Sequence, residues 1–114
     1  MDKPRLFIRD WQPKSAYKPL ARYFDLDIFE EITGEILEYD GFLLHHFSCE
    51  YDIDPLKRIA GSRPIVIETT QKGEVTDIVD DLMESGISLD DISIEVGQEK
   101  SRNRICSLFG FPPA

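Results

Sequence analysis

Arg63 to Val96 reads RPIVIETTQKGEVTDIVDDLMESGISLDDISIEV, a strand, a helix and a strand in succession. Ile65, Val66 and Ile67 form a continuous apolar run behind Pro64, as in a strand covered on both faces. Val75, Ile78, Val79, Leu82 and Met83 then fall at i, i+3, i+4, i+7 and i+8, one stripe of an α-helix, while Glu74, Asp77, Asp80, Asp81 and Glu84 take the remaining face. Gly86 is placed to end this helix in a left-handed cap, with Ile87 packing back on the last turn. Ile92, Ile94 and Val96 alternate with Ser93 and Glu95, the period of a strand with one wet face. Two strands joined by a helix in this way pair parallel through a right-handed crossover.

Upstream, Leu6, Phe7 and Ile8 predict a first strand. A helical region begins near Pro19, where a first-turn proline loses no hydrogen bond. A second helical start is expected at Asp25 or Asp27, whose carboxylates would cap it, running through Ile28, Phe29 and Ile32 to a stop at Gly34. Asp40-Gly41 separates Glu35–Tyr39 from Phe42–Phe47, and an Asp-Gly pair between apolar-rich runs predicts a hairpin; a longer helix through Tyr39 is the competing reading. Asp54 is read as the N-cap before first-turn Pro55, opening a two-turn connector that carries Leu56 and Ile59 and stops at Gly61. From Gln98 the tail holds Lys100, Arg102 and Arg104, then Ile105, Leu108, Phe109 and Phe111. It is expected as a last strand or loop covering the core, with an apolar docking peptide as the alternative.

These elements predict an α/β fold: a single-domain two-layer sandwich over 1–114, with a mixed four- to five-stranded sheet and two main helices on one face. The order is related to a ferredoxin-like βαββαβ plan with the connector as an insertion, ending in the parallel strand-helix-strand unit. Such an order carries no function with it. At 114 residues the chain is long enough for one core without disulfides or a structural metal. No apolar run exceeds three residues, far short of the roughly 20 that span a bilayer. The start Met1-Asp-Lys-Pro-Arg5 has no apolar run behind it to act as a secretory leader, so a cytoplasmic location is expected, with Cys49 and Cys106 as reduced, buried thiols.

The net charge of −9 conceals a layout: +4 over residues 1–24, −8 over 25–62, −7 over 63–97 and +2 over 98–114. An acidic middle repels a duplex, so direct nucleic-acid binding is not expected. It favours a basic partner or solubility.

Few residues carry recognisable chemistry. His45, His46 and Cys49 are the one grouping with ligand or nucleophile character, but neighbouring residues on a strand face opposite ways, and the spacing fits no zinc pattern. One packed and one exposed histidine is the expectation, with neither metal nor cofactor. Asp25-Leu-Asp27 and Asp52-Ile-Asp54 place two carboxylates on one side if extended, as Mg²⁺ ligands do, yet each precedes an expected helix and capping suffices. The turn Gln71-Lys72-Gly73-Glu74 leads into a helix whose first turn carries Glu74 and Asp77, which occupy the positive helix end that a phosphate needs. Arg9, Lys14, Lys18 and Arg22 interleave with Trp11, Tyr17 and Tyr23, a mix that could suit single-stranded nucleic acid, but with no RNA-binding motif present a solvated helix face with its aromatics in the core is the expectation.

The functional expectation is therefore a non-catalytic interaction module. It presents Glu74, Asp77, Asp80, Asp81 and Glu84 to a basic protein, such as a nuclease or nucleic-acid-binding protein, in an inhibitor, immunity, antitoxin-like or nucleic-acid-mimic role. A small-ligand-binding regulatory module, as a monomer or homodimer, is the alternative. A small enzyme using His46, Cys49 and an aspartate ranks third.

Overall fold

Five parallel strands form one sheet in the order β2-β1-β3-β4-β5, with β1 at Arg5–Arg9, β2 at Asp25–Phe29, β3 at Gly41–Leu44, β4 at Ile65–Thr69 and β5 at Ile92–Val96. The coordinates are a computed structural model that describes residues 2–32, 36–61 and 63–113. The helices are α1 at Lys18–Ala21, reached through a 3₁₀ turn over Lys14–Tyr17, α2 at Ile53–Ile59, α3 at Lys72–Glu84 and α4 at Gln98–Leu108.

Strand alternation sorts the apolar side chains between two cores. Leu6, Ile8, Leu43 and Val66 pack with Tyr17, Leu20, Phe24, Ile105 and Cys106, beneath α1 and α4. Phe7, Phe42, Leu44, Ile65 and Ile67 pack with Leu56, Ile59, Ile78 and Leu82, beneath α2 and α3. Helices thus lie on both faces of the sheet. The crossover from β1 to β2 runs one way along the sheet, and those leading to β3, β4 and β5 run the other way. Crossovers of a single hand that travel in opposite directions must lie on opposite faces.

Within residues 63–96 the expected parallel unit forms, Ile65 to Thr69 pairing in register with Ile92 to Val96. Gly86 adopts φ 77°, its N–H donates to the Met83 carbonyl at 3.0 Å, and that of Ile87 donates to Leu82 at 3.0 Å, the two bonds of a left-handed helix stop. The connector also forms, as α2, with Gly61 beyond it at φ 86°.

Elsewhere the fold departs from expectation. The sheet is parallel throughout, not mixed, and the two-layer ferredoxin-like order is not the arrangement found. Asp40-Gly41 makes no hairpin: Asp40 Oδ2 accepts the Arg5 N–H at 2.8 Å and its own N–H donates to the Arg5 carbonyl at 2.9 Å, which pins the start of β3 beside the start of β1. Gly41 serves a close approach, since a Cβ there would sit 2.8 Å from the Phe109 ring. All four residues of β3 are buried, as the apolar run Phe42-Leu43-Leu44 requires of a central strand. Of the competing helix through Tyr39 only a 3₁₀ turn over Ile36–Glu38 is present; Glu35 and the expected stop at Gly34 lie outside the described residues.

Asp25 and Asp27 cap no helix, because Asp25–Phe29 is an edge strand on which Leu26 and Ile28 face the core. Asp27 instead accepts the Tyr39 hydroxyl at 2.7 Å. Asp54 lies inside the first turn of α2, whose N-cap position is Asp52. The tail is helical: α4 buries Ser101, Ile105 and Cys106, and Phe109 and Phe111 then pack edge-on against Phe24. No helix among the described residues is long and apolar enough to cross a membrane.

Candidate functional site

Crossovers diverge between β1 and β3, and in open parallel sheets that divergence leaves a crevice at the C-terminal strand ends. The buried polar side chains of the described residues all gather at this end: Arg9, Asp10, His45, Asp52, Glu68, Thr69 and Ser101. They end β1, β3 and β4 or open α2 and α4, the helices that follow β3 and β5. Burial of polar groups is unfavourable unless each is bonded, so their concentration at one end marks a built network.

Arg9 ties the crevice together. Its Nε donates to the Glu30 carbonyl at 2.8 Å, and Nη1 donates to the carbonyls of His45 at 3.1 Å and His46 at 2.7 Å. The same Nη1 pairs with Asp52 Oδ2 at 2.9 Å, and that oxygen also accepts the Ser48 N–H at 2.7 Å. Thus the Asp of the expected Asp52-x-Asp54 pair closes a turn and an ion pair. Held by these bonds, His46 adopts a left-handed φ of 56°, a conformation that is sparsely populated outside glycine.

Asp10, immediately beyond β1, is 1 % exposed. Its Oδ2 accepts the Tyr17 hydroxyl; its Oδ1 accepts the Trp11 N–H at 2.7 Å and lies 3.1 Å from His46 Nε2. Burial alone would raise the Asp10 pKa, but the Tyr17 and Trp11 hydrogen bonds and the two histidines outweigh it and hold the carboxyl below its usual range. Tyr17 moves the opposite way, raised by burial and by the Asp10 carboxylate. An ionised Asp10 accepts only, so the proton on neutral His46 resides on Nε2. Trp11 stacks on the His46 ring with centroids 4.2 Å apart and an interplanar angle of 15°.

His45 faces inward as His46 faces outward. Its Nδ1 meets the Glu68 carboxylate, and burial lowers its pKa to about 4, so the imidazole is neutral near pH 7. Its Nε2 has no hydrogen-bond partner among the described residues. A cavity of about 270 Å³ opens beside this pair, its polar lining supplied by His45, His46, Glu68, Thr69, Thr70 and Glu74 and its apolar lining by Phe47 and Ile78. Glu74 accepts the Thr69 hydroxyl.

Of the acidic residues singled out from sequence, Glu74, Asp77, Asp80 and Glu84 are exposed on α3 and Asp81 is half-buried. None of the five is in an ion pair among the described residues. Met83, expected in the apolar stripe, is 62 % exposed instead. His46 and Cys49 do not act together: His46 is bonded to Asp10, whereas Cys49 packs against the α3-side core with its thiol pushed up to about 11 by burial and by Asp81. A thiol raised in this way carries little thiolate at neutral pH. Trp11, Tyr17 and Arg9 belong to this crevice and not to a basic helix face.

Sequence reasoning missed Asp10 and Glu68. Glu68 carried a signal, as a charged residue directly ending the apolar run Ile65-Val66-Ile67, whereas Asp10 is separated from Leu6-Phe7-Ile8 by Arg9. Comparisons with protein-family models, curated proteins and solved structures find no match to this chain.

Proposed function

We propose that this chain is a binding module for a positively charged group carried by a basic protein partner. The observation that supports this reading is the continuity, from α3 into the crevice, of acid that no lysine or arginine pairs among the described residues. Glu74, Asp77, Asp81 and Glu84 recur at i, i+3, i+7 and i+10, one stripe of the helix, and Glu74 at its head also lines the cavity beside Glu68. No lysine or arginine lines that cavity. Its volume is below the roughly 300 Å³ at which pockets begin to enclose whole small ligands, and suits one guanidinium or ammonium head group. Glu68, Glu74 and the hydroxyls of Thr69 and Thr70 supply acceptors for it. The stripe outside would then steer a basic surface toward the pocket, as in partners whose own target is a polyanion such as nucleic acid.

A free amine or guanidine metabolite offers the same head group without the surface. Titration of ¹⁵N-labelled protein with an Arg-rich peptide, a Lys-rich peptide and free arginine separates the two sources. A peptide partner perturbs amides along α3 as well as at Thr69 and Thr70, weakens with added salt, and loses most of its affinity in Asp77→Lys/Glu84→Lys. A metabolite perturbs the cavity alone and ignores that double charge reversal. Absence of perturbation at either place by all three probes would remove the reading.

A further inference from the structure

The basic-partner reading leaves the Tyr17-Asp10-His46 chain unused. Asp10 is almost fully enclosed, while the His46 side chain is 42 % exposed at the crevice mouth. A buried carboxylate behind a solvent-facing imidazole fixes the tautomer, leaving the lone pair of neutral His46 on Nδ1. Further observations show that this geometry is held in place. Tyr17 and the Trp11 N–H orient the Asp10 carboxylate. Arg9 grips the carbonyls of His45 and His46, and with them the left-handed backbone of His46. Trp11 covers one face of the ring, and the ring borders the cavity that Thr70 and Glu74 also line.

We propose that His46 is an acid–base centre, with Asp10 as its positioning residue, that takes a proton at Nδ1 from the O–H group of a water or a small hydroxyl-bearing ligand in the adjoining cavity. The O–H bond breaks, its electron pair stays on oxygen, and an N–H bond forms at Nδ1 while Nε2–H remains on the Asp10 carboxylate. The same proton then returns from Nδ1 to that oxygen or passes to solvent, which restores the neutral ring. The step goes beyond the binding role and does not depend on it.

Long-range ¹H–¹⁵N spectra of the wild-type chain, taken where His46 is neutral, test the arrangement directly. An Nε2–H tautomer is expected, and an Nδ1–H tautomer overturns the proposal. Asp10→Ala should release the ring to a mixture of tautomers, whereas Tyr17→Phe, which leaves the Asp10–His46 contact in place, should not. A merely structural role for Asp10 would leave the tautomer unchanged. The second arm is hydrolysis of p-nitrophenyl acetate, a small ester that reads the availability of the Nδ1 lone pair. Wild type should exceed His46→Asn at least about tenfold, asparagine being chosen because it tolerates the left-handed backbone. Equal rates refute the acid–base role. If Asp10→Ala does not fold, the wild-type tautomer and the His46→Asn comparison still decide.

Discussion

Replacing Arg9 with methionine removes a side chain that joins the ends of β1, β2 and β3 to the start of α2. Four acceptors lose a donor: the carbonyls of Glu30, His45 and His46 and the carboxylate of Asp52. Among the described residues, Asp52, at 4 % exposure, keeps the Ser48 N–H as its remaining side-chain partner. Breaking a buried pair by removing one partner costs about 3–5 kcal/mol, and the surviving Ser48 bond places this case near the lower end, about 3–4 kcal/mol. For a chain of this size that is a fall in melting temperature of roughly 12–16 °C. Urea denaturation of Arg9→Met, Asp52→Leu and the double variant forms the cycle. The double variant should be more stable than additivity requires by at least about 2 kcal/mol, because it removes the stranded charge. Amide exchange should quicken over 46–52 in Arg9→Met first. A loss under about 1 kcal/mol, or strict additivity, would show that Arg9 holds nothing together.

Gly41→Ala should cost about 1–3 kcal/mol, since its Cβ would lie 2.8 Å from the Phe109 ring and the tail must shift; a neutral effect on the melting temperature would contradict that contact. Stability should fall as pH drops from about 6.5 to about 4, because an unfolded His45 takes up a proton in that window while the folded one, facing Glu68, Asp10, His46 and Arg102, does not. The contribution is full above pH 6.5 and its loss is on the order of 3 kcal/mol by pH 4, so His45→Gln should show a shallower decline over the same range, measured by urea denaturation. Cys49, with its thiol at about 11, should react with a disulfide reagent at pH 8 far more slowly than free cysteine, and a rate equal to that of free cysteine would contradict its burial.

The β4-α3-β5 unit was legible because each of its elements carries its own period and the helix carries its own stop. α2 was legible from Pro55 and Gly61 for the same reason. β2 was not, since Asp25-Leu-Asp27-Ile-Phe29 places acids where caps are expected and only its pairing with β1 makes it a strand. Gly41 misled because a glycine that admits an aromatic ring has the same sequence signature as one in a turn. α4 stayed hidden because one of its three buried positions is Ser101, which breaks the apolar stripe. For the site, one packed and one exposed histidine was expected from strand alternation, but both lie beyond β3 and His46 turns outward on a left-handed backbone. Asp10 and Tyr17 meet only through the turn after β1, a contact that no spacing rule describes.

The position of α4 bears on the order in which the chain can become safe from its neighbours. Every strand is translated before residues 98–111, yet those residues supply the cover for Leu43 and Val66 and the rings that close over Phe24. A nascent chain whose sheet has assembled therefore leaves the part of that core beneath α4 open to solvent until the last helix emerges. In that interval the face of β3 that carries Leu43 is a surface for chaperones or for aggregation. Loss of α4 by premature termination would leave this condition permanent, so its failure is expected to be seen in solubility before any loss of binding.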